Sequence, residues 1–239
     1  FELDENDDGS SNVTAFSNLL RVVRLASKME FSVFFIFAVT LSLFPALITS
    51  IKGSSNENNG LRLLFGAKLF APTLVLIFNL FDMVGRIVAN FIPLPYLLTV
   101  SGEEKESVPL LSFLSLSFLS EGTIVKACLV RALFLPVFLL CDVQDSSLPV
   151  IFPSVAWPCA FVATFAFTNG FFSCLAFMVA PQLVQTEVNN ASGGGDNGDN
   201  DNLQYLCGMA MTIVLSLGLL IGSLFSFLVS EISKGEWFL

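Results

Sequence analysis

Asn79, Asp82 and Arg86, in the segment FNLFDMVGR, are the residues of this 239-residue sequence whose types and spacing could do chemistry. If the segment is helical, Asp82 and Arg86 stand four positions apart and Asn79 three before Asp82, so all three share one face. A carboxylate on that face accepts hydrogen bonds from hydroxyls, and the planar fork of a guanidinium donates them. Two readings of the group stand side by side. One is a structural ion pair that locks a helix in place, and the other is a site for a polar, hydroxylated solute. The sequence has no histidine, so a Ser-His-Asp triad, a Cys-His dyad and any His-ligated metal are absent from it. The five cysteines, Cys128, Cys141, Cys159, Cys174 and Cys207, fall in or beside apolar blocks without CxxC spacing and read as reduced packing residues. No enzyme activity, cofactor or metal site is expected. The net charge is −9, with acids clustered at Glu2 to Asp8 and Asp196 to Asp201. With no basic patch to neutralise phosphates, nucleic acid is not expected as a partner.

The elements that must carry these residues are apolar and long. The chain is 54% hydrophobic and only 13% charged, and its apolar residues lie in a few long blocks, which excludes an ordinary water-soluble domain and makes the lipid bilayer its main solvent. A helix needs roughly 20 residues to cross the hydrocarbon core. Five blocks qualify: 31–51, 63–92, 123–141, 154–181 and 203–230. The fold class is therefore an all-α polytopic membrane protein. The second block holds Lys68, Asp82 and Arg86 and ends at Pro93 and Pro95. Residues 1–30, acidic and then basic at Arg21, Arg24 and Lys28, read as an arm entering from an upstream part, so the chain is expected to be a fragment; residues 231–239 form a short tail. Residues 1–30 do not read as a signal peptide, which opens on a basic stretch followed at once by an apolar core. Residues 108–119 are apolar but too short to cross, and 189–202, NNASGGGDNGDNDN, read as a solvated loop. On the side of the arm the loops hold Arg21, Arg24, Lys28 and Lys105, against Lys52, Arg62 and Lys234 on the other, which leans towards a cytosolic arm.

Arg131 lies inside the third block, and its nearest basic neighbour, Lys126, is off its face and snorkels to the interface; a structural or gating role is expected for Arg131. Thr168, Asn169, Gly170 and Ser173 interrupt the Phe-rich fourth block, and allow close helix approach or a pathway lining. Gly218 and Gly222 form a GxxxG in the fifth, read as a packing face. Phe44 and Pro45 mark a kinked, aromatic-lined stretch at the end of the first.

Five motifs, one per block and in order, carry a family resemblance: LFPAL at 43–47, FNLFDMVGR at 78–86, LVRALFLPVFLLCDV at 129–143, FAFTNGFFSCLAFMVAP at 165–181 and LGLLIGSLFSFL at 217–228. Together they resemble the C-terminal half of the equilibrative nucleoside transporter family. The resemblance implies an eleven-helix, major-facilitator-like transporter, with the five spans here as helices seven to eleven and six further helices as the missing partner of the bundle. It also implies facilitative movement of nucleosides, or nucleobases, by alternating access. Asp82 and Arg86 match the pair that holds the ribose, Phe44, Pro45 and Asn79 match positions near the central cavity, and Leu219 matches a cavity-lining leucine. Arg131, Asn169, Gly170, Gly218 and Gly222 are then structural or gating positions. The expected location is a plasma membrane, with an organellar membrane as the alternative. The long 93–122 connection and the acidic 187–202 loop depart from the family pattern. A non-transporting scaffold, in which Asp82 and Arg86 only neutralise each other, is the competing function.

Overall fold

A computed structural model describes residues 7–53, 66, 68–91, 121–144, 146–192 and 197–234. It contains the helices α1 (Asp7–Leu43), α2 (Ala46–Thr49), α3 (Phe70–Asn90), α4 (Glu121–Val130), α5 (Phe134–Leu139), α6 (Ala156–Ser192) and α7 (Asn197–Lys234), with a 3-10 turn, Arg131–Leu133, joining α4 to α5. Among the described residues, five helical segments are long and apolar enough to cross a membrane: Phe16–Thr49, Phe70–Asn90, Glu121–Leu139, Ala156–Glu187 and Asn202–Lys234.

Several boundaries differ from the sequence reading. The arm is helical from Asp7 and runs unbroken into the first span, because residues 10–44 contain neither proline nor glycine. Its apolar residues also repeat: Val22, Ala26, Met29, Val33 and Ile36 form a stripe at alternating steps of four and three, all buried. The second span begins only at Phe70, which leaves Lys68 in the preceding turn. The 189–202 stretch is helical up to Ser192 and again from Asn197, and the 108–119 block lies outside the described residues.

Proline sets the local breaks. Pro45 has no N–H to continue the ladder of α1, and the chain re-enters a single turn, α2, through Thr49 N donating to Pro45 O at 2.9 Å. Pro136 removes the donor for Ala132 O and crowds that carbonyl, which places the tighter 3-10 turn at Arg131–Leu133.

Helices α1 and α6 are the central pair: α7 and α4 pack on α1, and α3 packs on α6. The first and third spans run parallel, tied at one end by Lys28 Nζ to Glu121 Oε2 at 2.9 Å and at the other by Lys52 Nζ to Asp142 Oδ1 at 3.4 Å. Backbone bonds from Lys52 N to Asp142 O and from Gln144 N to Ser50 O, both 2.8 Å, reinforce the second tie. Gly218 faces Phe34 and Gly222 faces Ala38, so the fifth span is parallel to the first as well. The buried apolar residues form two clusters. One holds Val22, Met29, Ile36, Cys128, Val179 and Cys207, and the other Leu43, Phe70, Phe78, Phe138 and Phe165.

Candidate functional site

Between the two apolar clusters lies a polar layer to which four spans contribute: Thr40 from α1, Asp82 and Arg86 from α3, Arg131 from the third span and Thr168 and Asn169 from α6. Arg86 Nε donates to Asp82 Oδ2 at 2.8 Å, the i,i+4 pairing expected from their spacing. The Arg86 side chain remains 45% exposed and that of Asp82 17%, so the pair opens on one side of the bundle and is not sealed within it. The other oxygen, Asp82 Oδ1, accepts from Asn169 Nδ2 at 2.7 Å.

Asn79 is exposed on α3, and its amide donates to Val75 O of its own helix at 2.9 Å. It shares the face of Asp82 and Arg86, and among the described residues no hydrogen bond joins it to either.

Arg131 is the largest fully buried side chain among the described residues, at 2% exposure. Its Nη1 donates to Phe165 O at 2.8 Å and to Thr168 Oγ1, and its Nη2 to Thr40 Oγ1 at 3.0 Å and Asn169 Oδ1 at 3.3 Å. Its charged carbon lies 4.5 Å from the centre of the Phe165 ring, a cation–π contact. The buried charge is thus spread over neutral acceptors and a π face, and only Nε lacks a partner among the described residues. Lys126, by contrast, is exposed.

One helical turn from this layer, towards the Ile51 end of the first span, the same spans present aromatic rings. Phe44 follows Thr40 by four, Phe78 precedes Asp82 by four and Phe165 precedes Asn169 by four. Phe44 stacks on Phe78 with centroids 4.2 Å apart, Phe78 meets Phe165 at 6.3 Å, and Phe134 and Phe138 approach Phe165 at 5.1 and 5.7 Å. Such pairs add roughly 0.5–1.5 kcal/mol beyond their buried area. Phe44 is half-buried in this cluster, whereas Pro45 is exposed at the break.

Gly85 and Gly170 bring α3 and α6 together beside the pair. A Cβ on Gly170 would sit 2.0 Å from Asp82 O, and one on Gly85 would sit 2.2 Å from Phe167 O. Gly218 and Gly222 play the same part between α7 and α1, each hypothetical Cβ lying 2.6 Å from a carbonyl oxygen of α1. Leu219 is half-buried on α7, and no described polar or aromatic contact joins it to Asp82 or Arg86.

Thr40 and Glu30 carry no sequence signal that singles them out. Thr40 is one hydroxyl in an apolar run and meets Arg131 across 91 residues of sequence. Glu30, read from sequence as the edge of the arm, is 6% exposed within α1, with Oε1 unpartnered among the described residues.

A family model described as nucleoside transporter matches residues 2–120 and 118–231. Human equilibrative nucleoside transporter 1 is 28% identical over 213 residues, covering 88% of this chain and 38% of the relative. Rat equilibrative nucleoside transporter 2 is 31% identical over 195 residues, 81% of this chain and 34% of the relative. Adenosine transporter 1 of Crithidia fasciculata is 25% identical over 226 residues, 94% of this chain and 36% of the relative. The chain spans little more than a third of the length of the curated relatives it matches.

Proposed function

Because the chain belongs to the nucleoside transporter family, we propose that the protein of which it is part carries nucleosides, with nucleobases as a second class, across a membrane by alternating access. The chain is an integral membrane protein by its five apolar helices and its relatives. We assign it the C-terminal five of eleven helices in a major-facilitator-like bundle, with the segment before residue 31 on the cytosolic side and the plasma membrane as its location.

The observation that carries the reading is the state of the Asp82 carboxylate. It is held at both oxygens, by Arg86 Nε and Asn169 Nδ2, on a helix whose Arg86 is still half exposed. A carboxylate offers about four lone-pair sites, so two remain free beside the donors of Arg86. Carboxylate acceptors next to guanidinium donors suit the vicinal hydroxyls of a ribose. In this reading Asp82 and Arg86 bind the sugar, while Asn79, Phe44, Pro45 and Leu219 belong to the cavity wall.

The test is uptake of labelled uridine and adenosine by the full-length protein in liposomes. We expect saturable uptake that runs down its gradient and is competed by unlabelled nucleoside. Folded protein that moves no nucleoside would favour the competing scaffold role, for which the direct Arg86–Asp82 bond would then be structural.

A further inference from the structure

Arg131 is the charge buried most deeply among the described residues, and no ion pair among them includes it. A guanidinium donates through five N–H groups and accepts nothing, so whatever faces it must be an acceptor. That rule orients Asn169. Its Oδ1 must face Arg131 Nη2 at 3.3 Å, where Thr40 Oγ1 also lies 2.7 Å away, and its Nδ2 is therefore left to donate to Asp82 Oδ1 at 2.7 Å. The reversed amide would set N–H against N–H at Arg131 and oxygen against carboxylate at Asp82. The amide is a polar bridge from one charge to the other, its oxygen towards Arg131 and its NH2 towards Asp82. Arg86 holds the second carboxylate oxygen at 2.8 Å, so rotation of the carboxylate is blocked at both atoms.

We propose that Arg131 is a positioning residue for Asp82, acting through Asn169. The relay and Arg86 together fix the direction in which the carboxylate offers its remaining lone pairs to a vicinal pair of hydroxyls. The identity of that diol rests on the nucleoside reading; the relay itself does not.

The experiment has two arms in the full-length protein. Without ligand, the change in Tm caused by Asp82→Asn is measured in the wild-type, Arg131→Gln, Asn169→Leu and Arg131→Gln/Asn169→Leu backgrounds, with Arg131→Lys replacing Arg131→Gln if the latter does not fold. The relay requires the Asp82→Asn effect to change by at least about 2 °C when Arg131 is replaced, and that difference to vanish in the Asn169→Leu background. An Asp82→Asn effect indifferent to Arg131, or a dependence that survives Asn169→Leu, overturns it. With ligand, Asn169→Leu is expected to weaken uridine at least tenfold while weakening 2′,3′-dideoxyuridine less than about threefold. Equal weakening of both indicates a displaced helix, and no weakening of either indicates no role; each overturns the positioning claim. If the wild type binds neither ligand the nucleoside reading fails, and the ligand-free arm still decides the relay.

Discussion

At the scale of single residues, Asp82 and Arg86 were legible because charge in an apolar block costs several kcal/mol and must have a reason. Their mutual bond followed from i,i+4 spacing. Their other partners were not legible, since Asn169 meets Asp82 across 87 residues and Thr40 meets Arg131 across 91, and no local period encodes such contacts. Arg86→Lys is the informative variant. It keeps the charge beside Asp82 and loses the fork that can serve a carboxylate and a sugar hydroxyl together. We expect it to insert and express near wild-type levels, with nucleoside binding weakened at least tenfold, or roughly 1.4 kcal/mol, and with a 2′,3′-dideoxynucleoside far less affected. Equal losses for both ligands would return the pair to a purely structural role. Asn79 donates to Val75 O within its own helix and is exposed, so Asn79→Ala should leave Tm within about 1–2 °C, a change of a few tenths of a kcal/mol. A fall in uptake with unchanged Tm would then report contact with solute, and unchanged uptake would remove Asn79 from the cavity wall.

At the scale of elements, five apolar blocks translate directly into five helices because backbone polar groups in hydrocarbon must be satisfied within the segment. Boundaries were harder to see. Residues 1–30 look like a loop by charge, yet the stripe Val22, Ala26, Met29, Val33 shows that the helical period continues back through the basic residues, where Arg21, Arg24 and Lys28 occupy the exposed faces and only Glu30 joins the buried one. The contact between α3 and α6 was also hidden, since Gly85 and Gly170 acquire meaning only when placed opposite each other. Their consequence is specific. With a Cβ on Gly170 only 2.0 Å from Asp82 O, the helices must separate, and overpacking of this kind typically costs about 1–3 kcal/mol. Gly170→Ala should therefore lower Tm and weaken uridine and its dideoxy analogue alike, because it moves the whole of α3 and not one lone pair. Gly208, where an added Cβ meets nothing within 4 Å, supplies the control. Gly208→Ala should be neutral or stabilising by about 0.5–1 kcal/mol through helix propensity. A destabilising Gly208→Ala with a silent Gly170→Ala would refute this packing.

At the scale of the whole molecule, the parallel first, third and fifth spans put Asn12, in α1, and Asn190, at the end of α6, on one side of the bundle. In the proposed orientation that side is cytosolic, so neither Asn-X-Ser/Thr sequon should carry glycan, and glycosidase treatment should leave mobility unchanged. The same arrangement bears on how the protein moves. The first and third spans are tied at three depths: Lys28 to Glu121 at one end, Arg131 to Thr40 in the middle, and Lys52 with Ser50 against Asp142 and Gln144 at the other. The terminal ion pairs are exposed and each contributes only about 0–1 kcal/mol, so Lys28→Ala should barely change Tm. What resists sliding is the combination of backbone bonds at one end and the buried Arg131 in the middle. If alternating access rocks this group of helices as a body, these two spans keep their separation through the cycle. Joining Lys28→Cys to Glu121→Cys with a reducible spacer long enough to match the pair should then leave nucleoside uptake within about twofold, or roughly 0.4 kcal/mol, of the single-cysteine controls. Uptake that collapses on cross-linking and returns with reductant would show that the first and third spans separate during transport, and that the motion runs through this bundle and not around it.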